Sequence, residues 1–300
     1  MVSKRVLLFG GDGQVGRAVR ARVLPAGWEL GVSTRAQCDL TRAGDIAKAI
    51  RDFAPDIVIN AAAIADIDTC ERDYALAMRV NFEAVAEMAA HCAEANAPLI
   101  QISTDYVFDG SEGERPYATD DAMNPLNTYG KSKLMGEEAA RHGIHWHVIL
   151  RTSSVFGAWG QNILTKTLHS IDTLDEFGAV TDQISCPTSA DAVAEALVVM
   201  ADAILGGKVD GFGTFHLCGA PPVSRYDFLQ AMIDAYAPYT GRRTKLVPLR
   251  AADIAGRVPR PAYSVLDCGK IQRVYGIAQR PWREDLITAI KTYMENRADV

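Results

Sequence analysis

The sequence contains no C-x-x-C pair, although its 300 residues include six cysteines. Cys38, Cys70, Cys92, Cys186, Cys218 and Cys268 are scattered along the chain. That argues for reduced thiols in a cytoplasm and against a disulfide framework or a structural zinc site. A basic run is also missing. The net charge is -6, and binding to nucleic acid usually needs a basic stripe, so no nucleic-acid partner is expected. No apolar segment is long enough to span a bilayer, so no membrane partner is expected. Lys4 and Arg5 precede an apolar stretch, but it covers only Val6–Phe9 and breaks at Gly10-Gly11, far short of a signal-peptide core. A soluble, cytoplasmic protein is the expectation. His145 and His147 alternate along an expected strand and would share one face; two histidines alone make a poor metal site, and no metal is expected. Internal repeats and low-complexity linkers are absent as well.

What is present is ordinary globular composition, 48% hydrophobic and 23% charged, enough for one large domain or two small ones. RVLLF (Arg5–Phe9) is a short continuous apolar run before a glycine cluster, which fits a strand buried on both faces of a parallel sheet. A helix is expected from Gln14 to about Val23, a second strand over Glu29–Ser33 and a helix over Asp45–Phe53. DIVIN (Asp56–Asn60), a long helix over Tyr74–Ala95, PLIQIST, a helix over Tyr129–Arg141 and WHVILRT (Trp146–Thr152) continue the rhythm. Strands interleaved with helices imply an α/β, doubly wound parallel sheet whose carboxyl edge binds ligands. After about Thr152 the rhythm loosens. Ser189–Ile204 and Ser224–Ala235 still read as helices, each with a serine able to cap it. The expected organisation is a dinucleotide-binding Rossmann domain over 1–153. A smaller, interleaved substrate lobe occupies 154–300, with some segments returning to the sheet.

Three motifs carry chemistry. In GGDGQVG, Gly10, Gly13 and Gly16 lie between a strand and a helix. There a tight turn and the close approach of a pyrophosphate to the main chain both exclude side chains, and amides at the helix start face the phosphate. The second strand ends in Ser33-Thr34-Arg35 rather than an acidic residue. An arginine there can pair with a 2'-phosphate, which favours NADP over NAD; Asp39-Leu40 follow and could frame the adenine. In YGKSK, Tyr129 and Lys133 stand four apart on one helix face. A tyrosine ionises near pH 10; a nearby ammonium favours the phenolate and lowers that value. In STDYVFDG, Thr104 ends a strand on the same sheet edge, where its hydroxyl could donate to a bound carbonyl. Asp105 faces substrate or makes an Asx-type bond to its own backbone, and Tyr106 contacts substrate or packs.

With these motifs in place, the sequence resembles the extended short-chain dehydrogenase/reductase family, and within it the dTDP-4-dehydrorhamnose reductase branch. The resemblance covers nearly the whole chain. It rests on GGDGQVG, CDLT (Cys38–Thr41), DIVINAAA (Asp56–Ala63), Val80-Asn81, STDYVFDG, PLNTYGKSKLMGE, RTSSVFG, TDQISCPT (Thr181–Thr188) and RPAYSVLD (Arg260–Asp267). It implies reduction of the C4 ketone of dTDP-4-dehydro-L-rhamnose, with Thr104, Tyr129 and Lys133 catalytic. NADPH is the expected cofactor, with NAD as the alternative. Gly10, Gly13, Gln14, Val15, Gly16, Arg35, Asp39, Leu40, Ala61, Ala62 and Ala63 would line it, together with Tyr129 and Lys133. Thr104, Asp105, Tyr106, Asn162 and Arg260 are expected on the side of a nucleotide-sugar substrate, and a homodimer is the expected assembly. Two positions depart from the branch pattern, Ser154 where a tryptophan is usual and Tyr263 where an asparagine is frequent; neither touches the hydride chemistry. Relatives that dehydrate sugar nucleotides carry Thr-Asp-Glu where this chain has Thr104-Asp105-Tyr106. A reductase of a related 4-keto-6-deoxy sugar nucleotide is the nearer alternative, and a non-catalytic, dinucleotide-binding regulatory subunit is the alternative of a different class.

Overall fold

Val6 and Leu8 pack into one buried cluster, while Leu7 and Phe9 pack into another. Ile57 and Ile59 part from Val58 in the same way, and Ile100 from Leu99. Successive side chains of a strand point to opposite faces, so an unbroken apolar run means that both faces are covered. In the computed structural model, which describes residues 3–113 and 115–298, the first half comprises β1 (Lys4–Phe9), α1 (Gln14–Arg20), β2 (Trp28–Ser33), α2 (Asp45–Phe53), β3 (Ile57–Asn60), α3 (Ile67–Arg72), α4 (Tyr74–Met78), α5 (Ala84–Ala95), β4 (Leu99–Thr104), α6 (Thr128–Gly143) and β5 (His147–Thr152). The second half comprises β6 (Val155–Phe156), α7 (Ile163–Thr173), β7 (Glu176–Val180), β8 (Ile184–Ser185), β9 (Thr188–Ser189), α8 (Ala190–Leu205), β10 (Gly213–Leu217), β11 (Val223–Ser224), α9 (Arg225–Thr240), β12 (Lys245–Leu249), α10 (Gly269–Tyr275) and α11 (Trp282–Ala298).

Six strands form one parallel sheet in the order β2-β1-β3-β4-β5-β10. Helices α1 and α8 supply the apolar cover of one face through Val15, Ala18, Val193 and Leu197. Helices α2, α5 and α6 supply the other through Ile46, Ile50, Val85, Met88 and Ala140. Strand β10 and helix α8 both come from beyond residue 153, so that part of the chain builds on the sheet as well as beside it. A third cluster, with Leu164, Leu168, Phe228, Met232, Trp282 and Ile290, gathers α7, α9 and α11 into a separate lobe core. No helix among the described residues is long and apolar enough to cross a membrane.

Three expectations need correction. The first helix ends at Arg20, not near Val23, which is almost fully exposed. The helix expected over 74–95 is interrupted by a π-helical turn at Arg79–Glu83. His145 lies in the bend before β5, so it does not share a strand face with His147.

Glu137 and Arg151 are fully buried and paired. Arg151 donates to both carboxylate oxygens, at 2.9 and 2.7 Å, and Ser103 Oγ and Arg141 Nη2 each add a bond at 2.6 Å. Burial alone would raise the Glu137 carboxyl; the bonds and charge of Arg151, with Ser103 and Arg141, outweigh it and hold the carboxyl below its ordinary range. The cluster joins α6 to β4 and β5. Removing one partner of such a pair leaves the other charge buried and uncompensated. Arg151→Met is therefore expected to destabilise the protein by about 3–5 kcal/mol, read from urea unfolding; a loss under about 1 kcal/mol would mean that Ser103 and Arg141 suffice for Glu137.

Candidate active site

All strands of the sheet end on one edge, and the turns that follow β1, β3 and β4 lie there. Gly10 follows β1 with φ +81°, and a Cβ on it would lie 2.6 Å from the Ala62 nitrogen. The turn after β1 and the segment after β3 thus touch backbone to backbone, at the point where the strand order reverses. Between them lies a cleft of about 200 Å³ lined by Gly10, Gly13, Arg35, Asp39, Leu40, Ala61, Ala62 and Ala63. Arg35 is exposed and makes no hydrogen bond or ion pair among the described residues. The Asp39 carboxylate is held below its ordinary range, chiefly by bonds from the Thr41 amide and hydroxyl. Bare backbone, helix-start amides and an unpaired guanidinium at the end of β2 fit a phosphorylated dinucleotide. Two expected contacts point elsewhere. Val15 packs into the core, and Gln14 Nε2 donates to the Val155 carbonyl at 3.3 Å. Gly16 is buried in the first turn of α1. Ser33, Cys38, Thr41, Ile64, Leu76 and Val80 also line the cleft, a set brought in only by tertiary packing.

Helix α6 presents Tyr129 and Lys133 to the end of β4. Its start is fixed by Asn127, which accepts from the Gly130 amide at 2.9 Å and donates to the Pro259 carbonyl at 2.9 Å. A Cβ at Gly130 would sit 2.2 Å from the Tyr106 carbonyl oxygen, so the helix lies directly on the segment after β4. The π-helical turn places Asn81 where it bonds both polar backbone groups of Ile64, at 2.9 and 3.0 Å, and Ser132 Oγ at 3.0 Å. It thereby ties the segment after β3 to α6. Such turns are frequent at functional sites.

Tyr129 lies edge-on to Tyr106, with ring centroids 5.9 Å apart. Burial pushes its phenol well above the ordinary value; the Thr104 hydroxyl opposes this, and the Asp105 charge adds to it. Lys133 Nζ donates to the Ile102 carbonyl at 2.7 Å, and burial brings the ammonium down to about 8 against the opposing charge of Glu137. The expectation that Lys133 lowers the Tyr129 phenol is therefore not met: the ammonium is engaged by a backbone carbonyl, and burial dominates the phenol. Asp105 is also placed otherwise than expected. It is 1% exposed and accepts from three hydroxyls, Ser264 at 2.6 Å, Ser153 at 2.8 Å and Thr104 at 3.1 Å. Asn162 is not free for substrate either. Its oxygen accepts from the Leu164 and Thr165 amides and its nitrogen donates to the Gly157 and Trp159 carbonyls, which makes it the N-cap of α7.

Around Tyr106 stand three arginines, of which the sequence singled out only Arg260. Arg225 opens α9; Arg257 and Arg260 lie on the loop before Ser264. Each favours the Tyr106 phenolate, although burial and Asp105 raise that phenol overall. Burial, with repulsion from Arg260 and Arg257, brings the Arg225 guanidinium down to about 10. Arg257 Nη2 donates to Gln183, but buried Arg257 Nη1 and Arg260 Nε have no partner among the described residues. Clustered cations with buried, unpaired N–H groups form a site for a multivalent anion.

Fold and site together define a Rossmann-type, dinucleotide-binding protein with a tyrosine–lysine helix at the sheet edge. The sequence profile of the RmlD substrate binding domain family matches residues 4–295, and the chain belongs to that family. It is 38% identical over 281 residues to a dTDP-4-dehydrorhamnose reductase of Sinorhizobium fredii, covering 93% of this chain and 94% of that one. The crystal structure of a dTDP-4-dehydrorhamnose reductase from Clostridium acetobutylicum superposes with a TM-score of 0.87 at 31% identity, covering 97% and 99% of the two chains. One from Bacillus anthracis, solved in complex with NADP, gives 0.85 at 26% identity with the same coverage.

A half-buried guanidinium that is repelled by two neighbouring cations weakens the fold, and an apolar side chain in its place relieves that cost. Arg225→Leu is expected to raise the stability of the ligand-free protein by about 1 kcal/mol and to weaken thermal stabilisation by inorganic pyrophosphate, both read by differential scanning fluorimetry. Equal pyrophosphate responses in variant and wild type would remove Arg225 from the anion site.

Proposed function

We propose that the chain is an NADPH-dependent reductase of the C4 ketone of dTDP-4-dehydro-L-rhamnose, giving dTDP-L-rhamnose. The observation that supports this reading is that α6 brings Tyr129 and Lys133 to the end of β4, where the Thr104 hydroxyl acts on the phenol and the Ile102 carbonyl holds the ammonium. The cofactor, when bound, supplies the hydride that reaches the ketone carbon. Tyr129 gives its proton to the oxygen as the carbon–oxygen double bond opens. Thr104 donates a hydrogen bond to that oxygen as charge grows on it, the kind of stabilisation that counts most in a site shielded from water. Lys133, with N–H donors to spare beyond its bond to the Ile102 carbonyl, would bind the ribose hydroxyls of the nicotinamide half of the cofactor. Arg225, Arg257 and Arg260 hold the diphosphate of the nucleotide sugar. Arg35 takes the 2'-phosphate, so NADPH is preferred over NADH.

A reduction needs the phenol as an acid, and a phenol raised by burial keeps its proton throughout the working range. Dehydration at this site would need a carboxylate at position 106; Tyr106 stands there. Supplied with dTDP-4-dehydro-L-rhamnose, made in situ by the upstream enzymes, the protein is expected to oxidise NADPH stoichiometrically. A chain that binds NADPH yet never oxidises it with any keto sugar nucleotide would establish the regulatory-subunit alternative instead. Proton transfer by a positioned side chain contributes about 10²–10⁴-fold in rate. Tyr129→Phe should lose about that factor in turnover and keep its NADPH affinity, as measured by fluorescence titration; wild-type turnover would show that another group donates the proton.

The lysine sets an alkaline limb. Its ammonium is charged below about 8 and neutral above, so kcat/KM should fall as the pH passes that value. Lys133→Met, already slow, should show no such limb. An unchanged limb in the variant would assign it to a different group.

A further inference from the structure

Asp105 is a buried carboxylate without an ion pair among the described residues, held by hydroxyls from three separate segments and, more weakly, by its own backbone amide. Thr104 comes from the end of β4, Ser153 from the end of β5, and Ser264 from the loop that carries Arg260. Ser153 and Ser264 both donate to Oδ2, and Thr104 donates to Oδ1. Thr104 Oγ1 also accepts from the Tyr106 amide at 3.2 Å. A hydroxyl has one proton and two acceptor positions. In this arrangement the proton of Thr104 is committed to Asp105, yet the proposed reaction needs it at the substrate oxygen.

We propose that Asp105 is a positioning residue that sets the direction of the Thr104 hydroxyl proton, and that through Ser264 it links this setting to the arginine loop. The proposal rests on the reductase reading above. With Asp105 charged, Thr104 donates inward. With Oδ1 protonated, Asp105 becomes the donor, Thr104 Oγ1 accepts from it and from the Tyr106 amide, and the Thr104 proton turns outward. Oδ2 continues to accept from Ser153 and Ser264 in both states, so the switch costs no hydrogen bond. Burial pushes this carboxyl up to about 6 against the three hydroxyl bonds, which puts the change of state in an accessible range. The titratable groups that feel its charge are Tyr106 on its own segment and Tyr129 on α6. Asp105 raises the phenols of Tyr106 and Tyr129.

The test compares pH profiles of wild type, Asp105→Asn and Ser264→Ala. An asparagine can donate from Nδ2 to Thr104 and accept from both serines with Oδ1, so it fixes the outward setting. Wild-type kcat should rise about 25-fold from about pH 7.5 to about 5.5 as Asp105 takes up its proton; the Asp105→Asn profile should be flat across that range. Ser264→Ala removes a bond that favours the charged carboxylate, so its rise should begin at higher pH. A rise of the same size and position in Asp105→Asn as in wild type would overturn the proposal. So would an unshifted rise in Ser264→Ala. Melting temperatures read the same titration without turnover. A carboxyl with a raised native pKa favours folding below its unfolded value and loses that contribution as pH rises through the native one. The melting temperature of the wild type should therefore fall more steeply with pH between about 4 and 6 than that of Asp105→Asn, and parallel curves would likewise overturn the proposal. A folded wild type with this melting behaviour but no NADPH oxidation would count against the reductase reading, not against the titration of Asp105.

Discussion

The contact on which the site depends is the carboxylate of Glu137. It takes hydrogen bonds from Ser103 on β4, Arg151 on β5 and Arg141 on its own helix, and no water reaches it. Ser103 precedes Thr104, and Glu137 lies one helical turn beyond Lys133, so the carboxylate fixes how far along β4 the helix sits. Taking these charges out of water costs several kcal/mol per ion. An apolar cluster would hold the two elements together at lower cost, but apolar packing is not directional. Four short bonds to one carboxylate fix the helix in both height and rotation. His216 completes the cluster: burial and the neighbouring Arg151 keep it uncharged, so it can accept from that guanidinium and donate to the Tyr117 carbonyl.

The fold thus holds two clusters of arginine with opposite balances. Around Glu137 each guanidinium finds an acceptor. Around Tyr106 the cations face one another, and buried N–H groups stand without partners among the described residues. The first arrangement satisfies itself. The second leaves in the folded protein an electrostatic imbalance that only an anion offsets, which is how a binding site comes to lower the stability of its own scaffold. Asn127, bonded to the Pro259 carbonyl, and Ser264, bonded to Asp105, attach the arginine loop to the helix and strand that carry the tyrosine and threonine. The anion site and the site of proton transfer are therefore parts of one framework.

Local pattern revealed the sheet and half of the site. The unbroken run Val6–Phe9 announces a strand covered on both faces because alternation is invisible when both faces are apolar. The four-residue step from Tyr129 to Lys133 puts both on one face of any helix. Gly10 announces itself because a turn that crowds the backbone of Ala62 admits nothing larger. What the pattern hides is partnership over long sequence distance. Nothing near Asp105 says that Ser153 and Ser264 will enclose it, and nothing near Asn162 tells a helix cap from a ligand contact until its four bonds are counted. Arg225 and Arg257 become legible only beside Arg260. The π-helical turn escapes because a single inserted residue leaves the composition of a helix unchanged.

The ionisation of Tyr129 shows why partners matter more than motifs. Read as a pair on a helix, tyrosine and lysine suggest a phenol brought toward neutrality by its neighbour. In the folded chain the ammonium is turned to the Ile102 carbonyl and burial governs the phenol. For an enzyme that removes hydride from an alcohol this would be a defect, since the tyrosine must begin as a base. For one that delivers hydride to a ketone it is an advantage. The acid must keep its proton until an alkoxide, a far stronger base than any phenolate, forms beside it. The lowered value of Lys133 has the same origin, the cost of holding a buried charge away from water. The same burial raises the phenol and lowers the ammonium, so one dry pocket favours the uncharged form of both groups.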